Sequence, residues 1–298
     1  MEHFIPAPDH ALSFSTIRQG TATNQLTKIK PKQGVNLSMN IVTGDATVTQ
    51  GDMAVFIEQY NNMTAGLRVS TYKLLDALTV ALTESGTRSP LVRLSLAAYM
   101  EKCGLKDRKE ARRQIKADME ALSKLRISFK ERRGNQIMDF MDVYLFGGER
   151  GIRNGVIFFS FSRTFYEILK GYPVMPYHNA LFAINPQYNP YSYGLGRRIL
   201  EHKNMNVGKK NENTISVRTL INATDLPAYE EVMASGRQVD QQIIAPFERD
   251  LNALSVMMSW EYCHSNGVQL TEEEVKRFHY DVFIECLVKI HWISYPER

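Results

Sequence analysis

Apolar positions along the chain fall into two rhythms, one of helices and one of strands. From Asp107 to about Leu125, Ala111, Ile115, Met119, Leu122 and Leu125 are spaced by four, four, three and three, which draws one stripe along a helix. Asp107 followed by Glu110 is a helix-start signature, because both side chains can satisfy open amides of the first turn. Upstream, Leu74, Leu75, Leu78, Ala81 and Leu82 predict a helix from Ser70 to about Thr83, stopped by Gly86 and Pro90. Between them Val92 to Met100 reads as a short helix and Glu101 to Leu105 as a turn. After the long helix the pattern alternates. Strands are expected over Arg126 to Phe129, Ile137 to Phe146 and Val156 to Ser160, joined by turns at Arg132-Arg133-Gly134-Asn135 and at Gly147 to Gly155.

The flanks complete the organisation. Residues 1–38 hold Pro6, Pro8 and Pro31 among many Ser, Thr, Asn and Gln, with no sustained period, and are expected to form a flexible N-terminal arm. Lys28, Lys30 and Lys32 make a small basic group within it. Residues 38–57 are strand-like, and Gly44 and Gly51 punctuate them as a hairpin or edge pair would require. A connecting helix over about Ser162 to Lys170 precedes Pro173, Pro176, Pro186 and Pro190, which mark a boundary. The expected domains are therefore 39–171 and 172–298.

The second half repeats the first in pattern. A shift of 121 places Leu94, Ser95, Leu96, Tyr99, Met100 and Leu105 on Ile215, Ser216, Val217, Leu220, Ile221 and Leu226. A shift of 129 places Ile115, Leu122, Leu125 and Phe129 on Ile244, Leu251, Leu254 and Met258, and the 8-residue difference lies in the loop Pro227 to Ser235. A helix from about Tyr191 to Asn204 precedes the second copy. Ser255 to Cys263, the turn His264-Ser265-Asn266-Gly267 and Phe278 to Trp292 follow it as a wing. The order helix, short helix, long helix, strands is that of a winged helix-turn-helix. The expected fold is α+β, with two such domains in tandem.

Charge now alters the picture. Net charge is only +4, but residues 102–133 carry 12 Lys/Arg against 5 Asp/Glu, a local +7 that leaves the rest at −3. Concentrated basicity of this kind is the electrostatic footprint of a polyanion. Arg108, Arg112 and Lys116 rise one per turn beside the apolar stripe, with Lys109 and Arg113 on the flank. Arg132, Arg133, Arg150 and Arg153 sit in the two expected turns. A solvated helix face with soluble turns would look similar residue by residue; four arginines in two tips beside one basic helix favour phosphates or a groove. In the second copy the long helix, expected over Arg237 to Leu254, sets Arg237 and Arg249 against Asp240, Glu248 and Asp250, and Pro246 should kink or split it. Its basic residues lie earlier, at Arg197, Arg198, Lys203, Lys209 and Lys210, the last two in a loop suited to backbone contact.

Other chemistry finds little support. Cys103, Cys263 and Cys286 are odd in number and far apart, so neither a disulfide framework nor a zinc site is expected. The seven histidines include no pair spaced for a nickase metal, and no Gly-x-x-x-x-Gly-Lys-Ser/Thr phosphate loop occurs. Asp139 and Asp142 lie three apart on a strand and so point to opposite faces. The chain is expected to be no enzyme and to need no cofactor. Neither a signal segment nor a membrane-length apolar run is found, so a cytoplasmic protein is expected.

On the paired residues above, which cover about residues 40–298, the tandem arrangement resembles the replication initiators (Rep proteins) of plasmids and related mobile genetic elements. The resemblance implies site-specific binding to repeated double-stranded DNA sites at an origin and a monomer–dimer equilibrium. It also implies recruitment of a host helicase or its loader. It would make Asp107 to Leu125 and Arg237 to Leu254 the recognition helices, although the acidic balance and Pro246 of the second depart from the pattern. A transcriptional repressor, or a scaffold binding protein through its wings, would carry the same fold.

Overall fold

The computed structural model describes residues 14–20, 23–24, 36–39, 42, 46–50, 53–57, 67–133, 136–276, 278–293 and 295–296. The side chains of 129–133 and 136–141, and most of those in 36–57, lie outside that description. The chain divides into two compact units, Met1–Ala183 and Ile184–Arg298. Among the described residues no helix is long and apolar enough to cross a membrane.

The first unit opens with β1 (Phe14–Arg18), then β2 (Asn36–Met39), β3 (Ala46–Gln50) and β4 (Met53–Ile57). Next come α1 (Val69–Ser85), β5 (Leu91–Ser95), α2 (Leu96–Lys102) and α3 (Arg108–Ser123). The strands β6 (Leu125–Arg133), β7 (Gln136–Tyr144), β8 (Phe146–Arg153) and β9 (Val156–Phe161) follow. It ends with α4 (Arg163–Gly171), β10 (Val174–His178) and α5 (Ala180–Ala183). Helix α1 is the core helix: residues 71–82 are all buried, as an element packed on every side must be. Its buried polar groups have partners, since Thr71 donates to Asp118 at 2.7 Å, Lys73 to the Phe182 carbonyl at 2.8 Å, and Asp76 accepts from Tyr177 at 2.9 Å. Gly86, at φ 61°, ends the helix in the left-handed region.

Three expectations change here. The first concerns Val92 to Met100, which is not one helix. Residues 91–95 form a strand with alternating burial, and α2 starts only after Ser95, whose Oγ accepts from the Ala98 amide at 3.3 Å.

The second concerns the wing. Strand β6 pairs with β4 and β7 with β6 in a five-stranded sheet of order β2-β3-β4-β6-β7, and the three-stranded sheet beside the helices is instead β5-β9-β8. Most of the expected turn 147–155 is strand β8. A Cβ on Gly148 would lie 2.8 Å from Ser160 Oγ, and one on Gly151 2.9 Å from the Phe158 ring, so these glycines mark close cross-strand approach. The true turn is Asn154-Gly155, at φ 50° and 75°, between paired Arg153 and Val156.

The third concerns the N-terminus. Residues 14–18 are no arm, because β1 pairs antiparallel with β10 and Ile17 is fully buried. The basic group at Lys28, Lys30 and Lys32 lies outside the described residues. Since β10 holds Pro173 and Pro176 within or beside a strand of the first unit, the division falls at 183/184 rather than 171/172.

The second unit runs α6 (Ser192–Met205), β11 (Thr214–Ser216), α7 (Val217–Ile221) and α8 (Tyr229–Ala234). A π-turn (Asp240–Ile244) leads directly into α9 (Ala245–Asn252), followed by β12 (Met258–Cys263), α10 (Glu272–Lys276), α11 (Tyr280–Glu285) and β13 (Leu287–Trp292). Its sheet has the order β11-β13-β12, which is the order β5-β9-β8 of the first unit. The correspondence reaches single bonds. Ser216 Oγ accepts from the Thr219 amide at 3.2 Å as Ser95 does from Ala98, 121 residues earlier. The Leu96 amide donates to the Gly155 carbonyl at 2.8 Å, and the Val217 amide to that of Cys286 at 3.0 Å. Each bond ties the start of the short helix to the entry of the sheet's central strand. Ile115, Leu122 and Leu125, like Ile244, Leu251 and Leu254, are buried, so truncating Leu122 or Leu251 to Ala should cost about 2–5 kcal/mol. The expected long helix of this unit is continuous over 239–252 but carries a π-helical stretch just before Pro246, whose ring offers no amide and crowds the carbonyl four residues before it. The strain is taken up where the Ala245 amide reaches back five residues to Asp240.

Candidate nucleic-acid interface

Helix α3 forms because its N-cap is strong: Asp107 accepts from the amides of Lys109 at 2.7 Å and Glu110 at 2.9 Å. Its inner face buries Ala111, Ile115, Asp118, Met119, Ala121 and Leu122. Asp118 ties the helix to the first turn of α1, accepting from Ser70 at 2.9 Å and Thr71 at 2.7 Å. Burial raises the Asp118 carboxyl above the ordinary range, against the pull of the Thr71 and Ser70 hydroxyls. The remaining face is exposed and carries Arg108, Lys109, Arg112, Arg113 and Lys116. Four of these hold no ion pair among the described residues. Arg113 instead grips Glu110 through Nε at 2.9 Å and Nη2 at 2.7 Å, which lowers the Glu110 carboxyl and raises the guanidinium. This pair is fully in solvent, so it orients Arg113 without removing it from the surface.

Strand β8 runs beside α3, and the two enclose a groove of about 340 Å³ lined by Arg112, Lys116, Met119, Glu120, Arg150, Gly151 and Ile152. Arg150 is held over the Phe146 ring at 5.2 Å, and Arg153, near the hairpin tip, over Phe158 at 5.9 Å. Gly155 brings the tip close to the helix start: a Cβ there would lie 3.8 Å from Arg108 Nη2. The structure thus gathers Arg108, Lys109, Arg112, Arg113, Lys116, Arg150 and Arg153 on one helix and one hairpin. Arg132 and Arg133 end strand β6, and their side chains lie outside the described residues, as does that of Asp139. Gly151 and Ile152 line the groove without any signal of it in the sequence, because a run of glycines has the composition of a turn, whereas here it is strand β8.

The second unit places its basic residues differently. Arg197 is 2% exposed, on the inner face of α6 with Leu195, Ile199 and Leu200, so it cannot be a surface contact. Neighbouring helix positions are turned about 100° from each other, so at most one of two adjacent residues need face outward, and charge alone did not reveal which of Arg197 and Arg198 did. Arg198 pairs with Glu201 at 3.1 Å, and Lys203 with Glu212. Lys209 and Lys210 are exposed in the expected loop, where Lys209 also donates to the Met205 carbonyl at 3.1 Å, at the end of α6. On α9, Asp250 is fully buried and accepts from the amides of Tyr191 at 2.5 Å and Ser192 at 3.0 Å, with Arg249 at 2.7 Å beside it. Glu248 accepts from Tyr262 of β12 at 3.2 Å, and Asn252 from Trp260 at 3.0 Å. Burial raises the Glu248 carboxyl.

Among solved structures the chain is similar to domains 2 and 3 of RctB. A selenomethionine structure matches with TM-score 0.46 at 10% identity, covering 90% of this chain and 98% of that one. A second matches with TM-score 0.38 at 12% identity, covering 86% and 100%. Both scores are below 0.5, so the likeness assigns no activity. No family model matches, and no curated protein does.

Proposed function

We propose that the chain is a sequence-specific double-stranded DNA-binding protein that acts as a replication initiator at repeated origin sites, without a catalytic step of its own. Each unit is read as a winged-helix module, with α3 as the recognition helix of the first and the β8–β9 hairpin as its wing. The observation that carries the reading is the exposed face of α3. Arg108, Lys109, Arg112 and Lys116 stand there without ion partners among the described residues, next to a hairpin that adds Arg150 and Arg153. Arginine in a major groove can pair bidentately with guanine, and lysine reaches the same acceptors. The duplicated connectivity supports the choice of an initiator, because two modules in one chain suit sites that occur in series. A host helicase or its loader and a second copy of the chain are the further partners this role calls for.

The test is selection of bound duplexes from genomic fragments by the full chain, followed by binding measured across a salt series. An initiator retrieves a cluster of direct repeats and shows a steep salt slope. A single inverted repeat over a promoter would instead identify a repressor. Binding of protein partners indifferent to salt, with no duplex retrieved, would identify a scaffold and end the proposal.

A further inference from the structure

The groove between α3 and β8 is built differently from a surface that only reads bases. Its floor is apolar, from Met119 and Ile152, with the Gly151 backbone between Arg150 and Ile152. Its rim is cationic from both sides, with Arg112 and Lys116 on the helix and Arg150 on the strand. Arg112 and Lys116 are one turn apart, about 6 Å along the axis. The acid in the lining, Glu120, is engaged by Lys124 at 3.4 Å. Base edges are read by hydrogen-bonding groups that project beyond a helix into the major groove. An apolar floor beneath a cationic rim matches a ligand that alternates a deoxyribose with a phosphate.

We propose that this groove seats the sugar-phosphate backbone of one DNA strand, with Arg112, Lys116 and Arg150 on phosphates and the sugar over Met119 and Ile152. The proposal rests on reading the first unit as a duplex-binding module, and it divides the cations of α3 by task. Arg112 and Lys116 hold the strand, whereas Arg108, Lys109 and Arg113 remain for base edges. Cation–π contact with Phe146 fixes Arg150 on the far wall, so helix and hairpin close on the same strand.

The experiment uses the full chain and two 20-bp duplexes, one selected by the wild type from a random pool and one with the same composition scrambled. R112Q, K116Q and R150Q should each weaken both duplexes by the same factor, on the order of 10-fold at 0.1 M salt. Each should also reduce the slope of log K against log salt by about 0.9. The ratio between the two duplexes should stay at its wild-type value. R113Q should lower that ratio, because it removes a base contact. A groove variant that lowers the ratio, or that keeps the wild-type slope, overturns the backbone assignment while leaving duplex binding intact. Absence of salt-dependent binding by the wild type to either duplex is the separate failure of the underlying reading, and removes the groove's role with it.

Discussion

The two units share a connectivity and differ sharply at the face between one helix, α3 or α9, and the sheet. In the first, α3 and β8 leave a groove with an apolar floor and three cations on its rim. In the second, the corresponding helix α9 is bridged to β12 by Tyr262 on Glu248 and Trp260 on Asn252. Tyr262 also meets the Phe278 and Phe283 rings edge-on at 5.0 and 6.2 Å. One copy of the architecture leaves this helix–sheet face open and cationic, and the other fills it with packing. The common part lies deeper, in a buried carboxylate on α3 or α9 that holds the first turn of the unit's first helix. Asp118 does this through Ser70 and Thr71, and Asp250 through the amides of Tyr191 and Ser192. Carboxylates at that end are favoured by the helix dipole as well as by the hydrogen bonds.

The largest expected effect breaks that common part. D250A would strand two buried amides and leave Arg249 without its partner, and should destabilise the second unit by about 3–5 kcal/mol. Chemical denaturation should show the second unit unfolding early while the first keeps its transition. A loss below about 1 kcal/mol would mean that Asp250 is not the clasp described. Next comes the difference in surface. The double variant R112Q/R113Q should lower specific duplex affinity at least about 100-fold, close to 3 kcal/mol, while stability stays within about 0.5 kcal/mol. Its counterpart R237Q, on an exposed residue before the π-turn, should change affinity less than about 3-fold, as one rim charge would. Equal effects of the two would erase the distinction between the units.

Much of this contrast was legible in the residues. The apolar stripe of α3 and its cation ladder could be read from spacing, because a helix fixes which positions share a face. The internal repeat was legible for the same reason, and Pro246 announced the π-helical irregularity in the second helix. What spacing did not reveal is pairing between strands distant in sequence. Arg126–Phe129 and Ile137–Phe146 alternate as wing strands would, but β6 joins β4 through Ile57↔Leu125 and Phe129↔Met53, partners about 70 residues away. Gly147, Gly148 and Gly151 have the composition of a turn, whereas all three are small because Ser162, Ser160 and Phe158 leave no space. The buried role of Asp250 was also hidden, since acidic balance counts a carboxylate in the same way whether it faces water or a helix end.

Acid should separate the units more gently. His178 on β10 is buried, accepts the Ala180 amide at Nδ1 at 3.1 Å, and packs edge-on against Phe14. Burial lowers its pKa from 6.5 to about 4, so the folded first unit holds a neutral imidazole that the unfolded chain would protonate. The stability this contributes is complete above about pH 6.5 and is lost as pH falls toward 4, about 2–3 kcal/mol in all. His202 in the second unit is lowered in the same direction, but it is only part-buried, so its contribution is smaller. Denaturation midpoints between pH 7 and 4 should therefore fall faster for the first unit, and H178F should flatten that fall. A first-unit slope unchanged by H178F would assign the acid sensitivity elsewhere.

The smallest effect tests whether the closed face of the second unit is closed by packing or by its hydrogen bond. Y262F keeps the ring among Phe278 and Phe283 and deletes only the hydroxyl that donates to Glu248. The carboxyl is already raised by burial, and losing that donor removes an interaction favouring its charged form, so its pKa should rise further. A stability loss of about 1 kcal/mol at neutral pH is expected, shrinking in acid as Glu248 takes a proton in either case. DNA affinity should not change, because nothing cationic is uncovered. If Y262F instead strengthened duplex binding, Tyr262 would be a cover over a latent second interface, and the two units would differ in regulation rather than in use.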